Sequence, residues 1–152
     1  MLRFDGLMDG NESREATRVL VVEDEPSARD AMQRFLQFCG YSVSVAASAN
    51  EAMKQATRCP PDVLVCDWKL DGESKGDTRD AGSVAALDGV DAAIDLQRRY
   101  RMAVILVTAH QLEALKSKAR RTGLNVSVFR RKPLSLTRLA SDIAALQGNA
   151  ET

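Results

Sequence analysis

Two apolar runs, each closed by carboxylate, constrain this chain more than any other feature. Val19-Leu20-Val21-Val22 ends in Glu23-Asp24, and Val63-Leu64-Val65-Cys66 ends in Asp67. Short apolar runs of this kind read as buried strands of a parallel sheet. Parallel strands release such acids at one common edge, where ligands bind in open α/β sheets. Three carboxylates crowded there repel one another unless a cation sits among them. Hard oxygen donors with few others nearby suit Mg²⁺. The chain is expected to build a small acidic metal site at the top of a sheet.

Two later strand ends complete that site. Ala103-Val104-Ile105-Leu106-Val107 ends in Thr108, and Val126-Ser127-Val128-Phe129 runs into Arg130-Arg131-Lys132-Pro133. A hydroxyl and an ammonium are what a phosphoryl group needs beside a metal. Lysine is a compact point charge for phosphate oxygens, and threonine donates one hydrogen bond. A carboxylate can act as nucleophile and carry an aspartyl phosphate. The order acid pair, lone aspartate, threonine, Lys-Pro is far more specific than any one of its members.

From about Arg18 to Leu146 the chain resembles the receiver domains of two-component response regulators. The segments that carry the resemblance are VLVVEDEPSARD (Val19–Asp30), PDVLVCDWKL (Pro61–Leu70), VILVTAH (Val104–His110) and VFRRKPL (Val128–Leu134). The resemblance implies that Asp67 is the phosphoacceptor. It implies Asp24 as a direct Mg²⁺ ligand, Glu23 as a ligand through water, and the backbone carbonyl of Lys69 as a further oxygen donor. Thr108 and Lys132 would bind the phosphoryl group, and Phe129 stands where the family has its switch aromatic. The donor would be a sensor histidine kinase or a phosphotransfer protein. The acceptor of the signal would be a downstream protein or a fused output domain outside this chain. A homodimer through the face of the fourth helix, fifth strand and fifth helix is a further expectation. The protein would promote only its own phosphorylation and dephosphorylation, in the cytoplasm.

Composition agrees. At 152 residues the chain suits one domain. Apolar residues make up 45%, enough for a globular core and too few for a membrane protein. Lys plus Arg equals Asp plus Glu at 21 each, so no overall charge draws the chain to nucleic acid or anionic membrane. No stretch approaches the roughly 18 apolar residues of a membrane helix, and the first residues have no apolar signal core. Cys39, Cys59 and Cys66 lack metal-ligand spacing, and their apolar neighbours predict reduced core thiols.

Strand and helix patterns alternate along the chain, which predicts a flavodoxin-like, doubly wound five-stranded parallel sheet of order 2-1-3-4-5. Pro26 to Cys39 reads as a helix with Ala28, Met32, Phe35, Leu36 and Cys39 on one face, stopped by Gly40. Ser42 to Ala46 is a strand. Ser48 caps a helix running to about Arg58, with Glu51 as capping-box partner. Val90 to Arg99, Gln111 to Thr122 and a segment from near Ser135 to Leu146 complete the helices. Residues 1–17 are read as a flexible arm and 148–152 as a tail. The sequence is compatible with a stand-alone receiver or with a piece of a larger signalling protein.

The departure from the family pattern lies between Asp67 and Gly89. Asp71-Gly72 is followed by Glu73 to Leu87 before Asp88-Gly89-Val90, an insert of about fifteen residues. Long loops in compact domains tend to be functional or disordered. The insert, about 72–87, is read either as solvated or as a partner-binding or site-covering loop.

Lys69 and His110 flank the site as rim modulators, with ion pairing and a helix start as their plain structural readings. Alternation turns Trp68 away from Asp67 into packing. Arg130-Arg131 reads as a solvated rim or partner contact. Two other functions remain open. A phosphohydrolase of the haloacid-dehalogenase type also uses a nucleophilic aspartate with Mg²⁺, but it wants a second acid where this chain has Lys69. A non-phosphorylated interaction module would keep the fold without the chemistry.

Overall fold

A computed structural model of the chain describes residues 16–68 and 89–151, with side chains to Gln147. Strands and helices alternate in the order β1 (Arg18–Val22), α1 (Pro26–Phe38), β2 (Ser42–Ala46), α2 (Ala49–Arg58), β3 (Val63–Trp68), α3 (Gly89–Arg99), β4 (Ala103–Thr108), α4 (Leu112–Thr122), β5 (Val128–Arg131) and α5 (Leu136–Glu151). The strands are parallel, in the expected order β2-β1-β3-β4-β5. The order reverses between β1 and β3, so a crevice opens where their acids emerge.

Period-two alternation divides the core in two. Leu20, Val22, Leu64, Cys66, Val104 and Leu106 face one way and pack on Ala52 and Ala56 of α2, Ala93 and Leu96 of α3, and Leu115 of α4. Val19, Val21, Val63, Val65, Ile105 and Val107 face the other way, onto Met32 and Leu36 of α1 and Leu139 and Ile143 of α5. Each fully buried aliphatic side chain contributes about 1.5–3 kcal/mol relative to exposure. The central strands are apolar on both faces because helices cover both.

Helix ends follow local chemistry. Ser48 Oγ accepts the Glu51 N–H at 3.1 Å as expected of the cap, while Glu51 Oε1 accepts the N–H of Ala47 at 2.8 Å, one residue ahead of the cap, where a capping box would use the N–H of Ser48. α1 ends where Gly40 takes φ +100, with Tyr41 N–H bonded to Leu36 O and Gly40 N–H to Gln37 O. Gly123, at φ +79, closes α4 with the same pair of bonds.

Several expectations need correction. Cys39 lies outside the apolar face of α1, and both Cys39 and Cys59 are exposed; Cys66 alone is a core thiol. Both exposed cysteines are C-cap residues, one position past the last helical residue, so neither is held inside its helix. β5 begins at Val128, later than Val126, because its ladder with β4 opens at the Ile105–Val128 pair. α5 continues to Glu151, past Leu146. A single Gly148 costs a helix only about 1 kcal/mol and no proline follows. The arm up to Glu15 and the insert at 72–87 lie outside the described residues.

Candidate functional site

β1 and β3 are neighbours with Val22 opposite Cys66, so Glu23 and Asp67 leave the sheet side by side. One ligand oxygen each from Glu23, Asp24 and Asp67 lies within 4.8 Å of the others. Glu23 is 1% exposed, Asp67 is half-buried and Asp24 faces solvent. This is the expected trio.

Lys132 enters it from the far edge of the sheet. Its backbone N–H donates to Thr108 O at 2.8 Å, which extends the β4–β5 ladder by one bond, and the Lys132–Pro133 peptide is cis. Its Nζ donates to Glu23 Oε1 at 3.0 Å and stands 3.3 Å from Asp67 Oδ1. Glu23 Oε2 accepts the Glu25 N–H at 3.1 Å. Burial alone lowers the affinity of the Lys132 ammonium for its proton. The hydrogen bond to Glu23 and the charge of Asp67 more than offset this, so its pKa lies above the ordinary lysine value. An ammonium held among carboxylates remains a cation.

Thr108 ends β4 fully buried, in register with Trp68. Its hydroxyl accepts the His110 N–H at 3.0 Å and leaves its own proton available. The hydroxyl is therefore engaged by the following turn and not by the acids. His110 itself is exposed, just ahead of α4. Phe129 lies half-buried on the α4 side of the sheet, with Lys116 Nζ 5.8 Å from its ring centroid. Trp68 packs in the same core at 4% exposure, as alternation predicts. Its indole N–H is buried and has no hydrogen-bond partner among the described residues. Lys69 lies outside the described residues.

Two supporting residues escaped the sequence. Glu25 caps α1: its carboxylate accepts the Ala28 N–H at 2.7 Å and the Ser27 hydroxyl at 3.0 Å, and these bonds lower its pKa. Asp142 forms a two-pronged pair with Arg130, at 2.8 Å to Nε and 2.7 Å to Nη2, so Arg130 is an anchor and not a solvated rim residue. The available signal was an acid inside the apolar stripe Leu139, Ile143. An apolar recess of about 240 Å³ opens beside Glu23 and Lys132, walled by Ala28, Met32, Leu134 and Leu136.

A parallel doubly wound sheet with acids at its switch point and a lysine reaching into them defines a class of phosphate- and metal-handling α/β domains. The model of the response regulator receiver domain matches residues 19–144, and the chain belongs to that family. Over 58 residues it is 41% identical to the response regulator MprA of Mycobacterium leprae, a stretch that is 36% of this chain and 25% of that protein. It superposes on a CheY-like receiver domain protein of Methanospirillum hungatei with a TM-score of 0.73 at 20% identity, covering 90% of this chain and 98% of that one. A receiver domain protein of Clostridium thermocellum gives 0.70 at 23% identity, covering 89% and 97%. Receiver domains are signalling modules that typically bind Mg²⁺ in an acidic pocket. Among the described residues no helix is long and apolar enough to cross a membrane.

Proposed function

We propose that Asp67 accepts a phosphoryl group from a phosphohistidine of a partner kinase or phosphotransfer protein, and that the modified chain changes its affinity for a downstream partner. The observation that carries this is Lys132 Nζ lying between Glu23 and Asp67 with Asp24 beside them. The three carboxylates offer only hard oxygens, which fit Mg²⁺. Asp24 and Asp67 would hold it directly. Glu23 would act through water, since both its oxygens already accept hydrogen bonds. The bound ion would neutralise charge on the transferring oxygens.

The chain's own groups do the rest. An Asp67 oxygen attacks phosphorus; the N–P bond breaks and an O–P bond forms. Lys132 is already cationic and close, and moves from the acids to a phosphoryl oxygen. Thr108 turns its free hydroxyl proton to another oxygen. Phe129, on the same sheet face, follows into the space that Thr108 leaves. The two-state surface it biases is that of α4, β5 and α5. Hydrolysis by water returns the Asp67 carboxylate and releases inorganic phosphate. The setting this implies is the cytoplasm.

Intact mass after incubation with acetyl phosphate and Mg²⁺ tests the reading. Wild type should gain one phosphoryl group, and Asp67→Asn should gain none. Full labelling of Asp67→Asn, or no labelling of wild type, overturns it.

A further inference from the structure

Each helix runs back against the parallel strands, so the helices all end at the sheet edge opposite the acidic site. Charge is separated along that axis. The three helices on one face of the sheet open on acid and close on arginine: Glu51 against Arg58 in α2, Asp91 against Arg98 and Arg99 in α3, and Glu113 against Arg120 and Arg121 in α4. Arg101 follows in the turn before β4. All six arginines are exposed. Among the described residues no hydrogen bond or ion pair engages the guanidinium groups of Arg58, Arg98, Arg101 and Arg120. Arg99 pairs with Asp95 at 3.3 Å in an exposed contact that contributes little, and Arg121 donates to Ser117 Oγ at 3.2 Å. Asp62, an acid at the same edge, already accepts the Arg18 N–H at 2.8 Å. Last-turn arginines complement the helix dipole, but Arg101 lies outside any helix. Overall neutrality, 21 basic against 21 acidic residues, conceals this separation.

Two further features share the edge. Phe38, the last residue of α1, is 87% exposed, and no other large apolar side chain among the described residues is exposed. Between the ends of α3 and α4 a recess of about 120 Å³ is walled by Gln97, Arg98, Thr122 and Gly123 over Ile94 and Leu124. α1 covers one face of the sheet and the arginine-ended helices cover the other. A narrow polyanion lying along the arginines would miss Phe38. A flat anionic surface meets both.

We infer that this end of the domain rests on an anionic lipid bilayer. The arginines hold lipid phosphates, with one headgroup phosphate in the recess beside Arg98. The Phe38 ring enters the boundary between headgroups and acyl chains. A strand length of about 20 Å then separates the lipid from the Asp67 edge, which faces away and stays open to a partner. The inference does not depend on phosphoryl transfer at that edge.

Co-sedimentation of the full chain with vesicles of phosphatidylcholine, with and without phosphatidylglycerol, tests it at low salt. Binding should require phosphatidylglycerol and should fall as salt rises. Arg98→Gln/Arg101→Gln should bind about tenfold more weakly or worse. Arg120→Gln/Arg121→Gln should do the same, which tests the charge from a different helix if the first pair disturbs folding. Phe38→Ser should bind about fivefold more weakly with the salt dependence unchanged. Arg138→Gln, at the opposite edge, should bind as wild type. Melting transitions of all variants should match wild type, since every altered side chain is exposed. No binding to anionic vesicles, equal binding to neutral ones, or undiminished binding by both arginine pairs overturns the inference. So does tighter binding to a mixed-sequence DNA or RNA duplex than to the vesicles, which would give the arginines to nucleic acid. Self-association in sedimentation that Arg98→Gln/Arg101→Gln abolishes overturns it too, and would give them to the acidic edge of a second copy.

Discussion

Lys132 and Glu23 are 109 residues apart in the chain and 3.0 Å apart in the fold. Their pairing makes the lysine the internal counter-ion of the acidic site. Mg²⁺ and Lys132 would therefore share the task of neutralising Glu23, Asp24 and Asp67.

Lys132→Ala leaves the buried Glu23 carboxylate without its ammonium partner. We expect a loss of about 3 kcal/mol in urea unfolding with a chelator present, and a clearly smaller loss in millimolar Mg²⁺, because a bound ion stabilises the folded state. Equal losses in both conditions would mean that the lysine and the ion do not compete for the same charge.

The Arg130–Asp142 pair should behave as a unit. Asp142 is only 9% exposed, and its partner is more open, so breaking the pair with Asp142→Asn or Arg130→Met should cost about 2–4 kcal/mol. The double variant should lose less than the sum of the two. Additive losses in the double-mutant cycle would reduce the pair to two independent surface contacts.

Trp68 sets two effects against each other. Trp68→Phe removes a buried indole N–H that finds no partner among the described residues but leaves a small void. The net change in stability should stay within about 1 kcal/mol. In wild type the ring lies one residue from Asp67 and in register with Thr108, so Mg²⁺ titration should change its fluorescence. The change should vanish in Asp24→Asn. A flat titration of wild type would count against metal binding at the trio.

Glu25 gives the pH dependence a sign. Its pKa is lowered below the ordinary 4.5, first by the Ala28 N–H. A group with a depressed folded-state value stabilises above its unfolded value and loses that contribution as pH falls through the lowered one. Glu25→Ala should therefore melt earlier than wild type at neutral pH, and the gap should close in strong acid. A gap that persists there would assign the effect to packing rather than to the charged cap.

Much of this was legible in the residues. The strands could be read because central strands are apolar on both faces and end abruptly in acid, as at Val22-Glu23 and Cys66-Asp67. Gly40, Ser48, Glu51 and Gly123 act within their own turn, so local pattern finds them. Asp142 was missed because its partner lies on a different element, and helical spacing names a face without naming what crosses from the sheet. Cys39 and Cys59 were misplaced because apolar neighbours in sequence say nothing about a side chain just past the last turn. Glu25 was overlooked because glutamate is an unusual cap, and its role shows only where Pro26 fixes the first turn.

The edge strand β5 has four residues and one neighbour, which is a weak grip on register. Phe129 and Arg130 point to opposite faces of it. A slip of one position would turn the guanidinium toward the apolar α4 side of the sheet and the ring toward Asp142, and both exchanges are unfavourable. The Arg130–Asp142 clasp thus works as an index pin. It fixes which notch of β4 the strand engages, so that any travel of Phe129 is confined to rotation of its ring about the side-chain bonds, with the backbone held as the fixed reference.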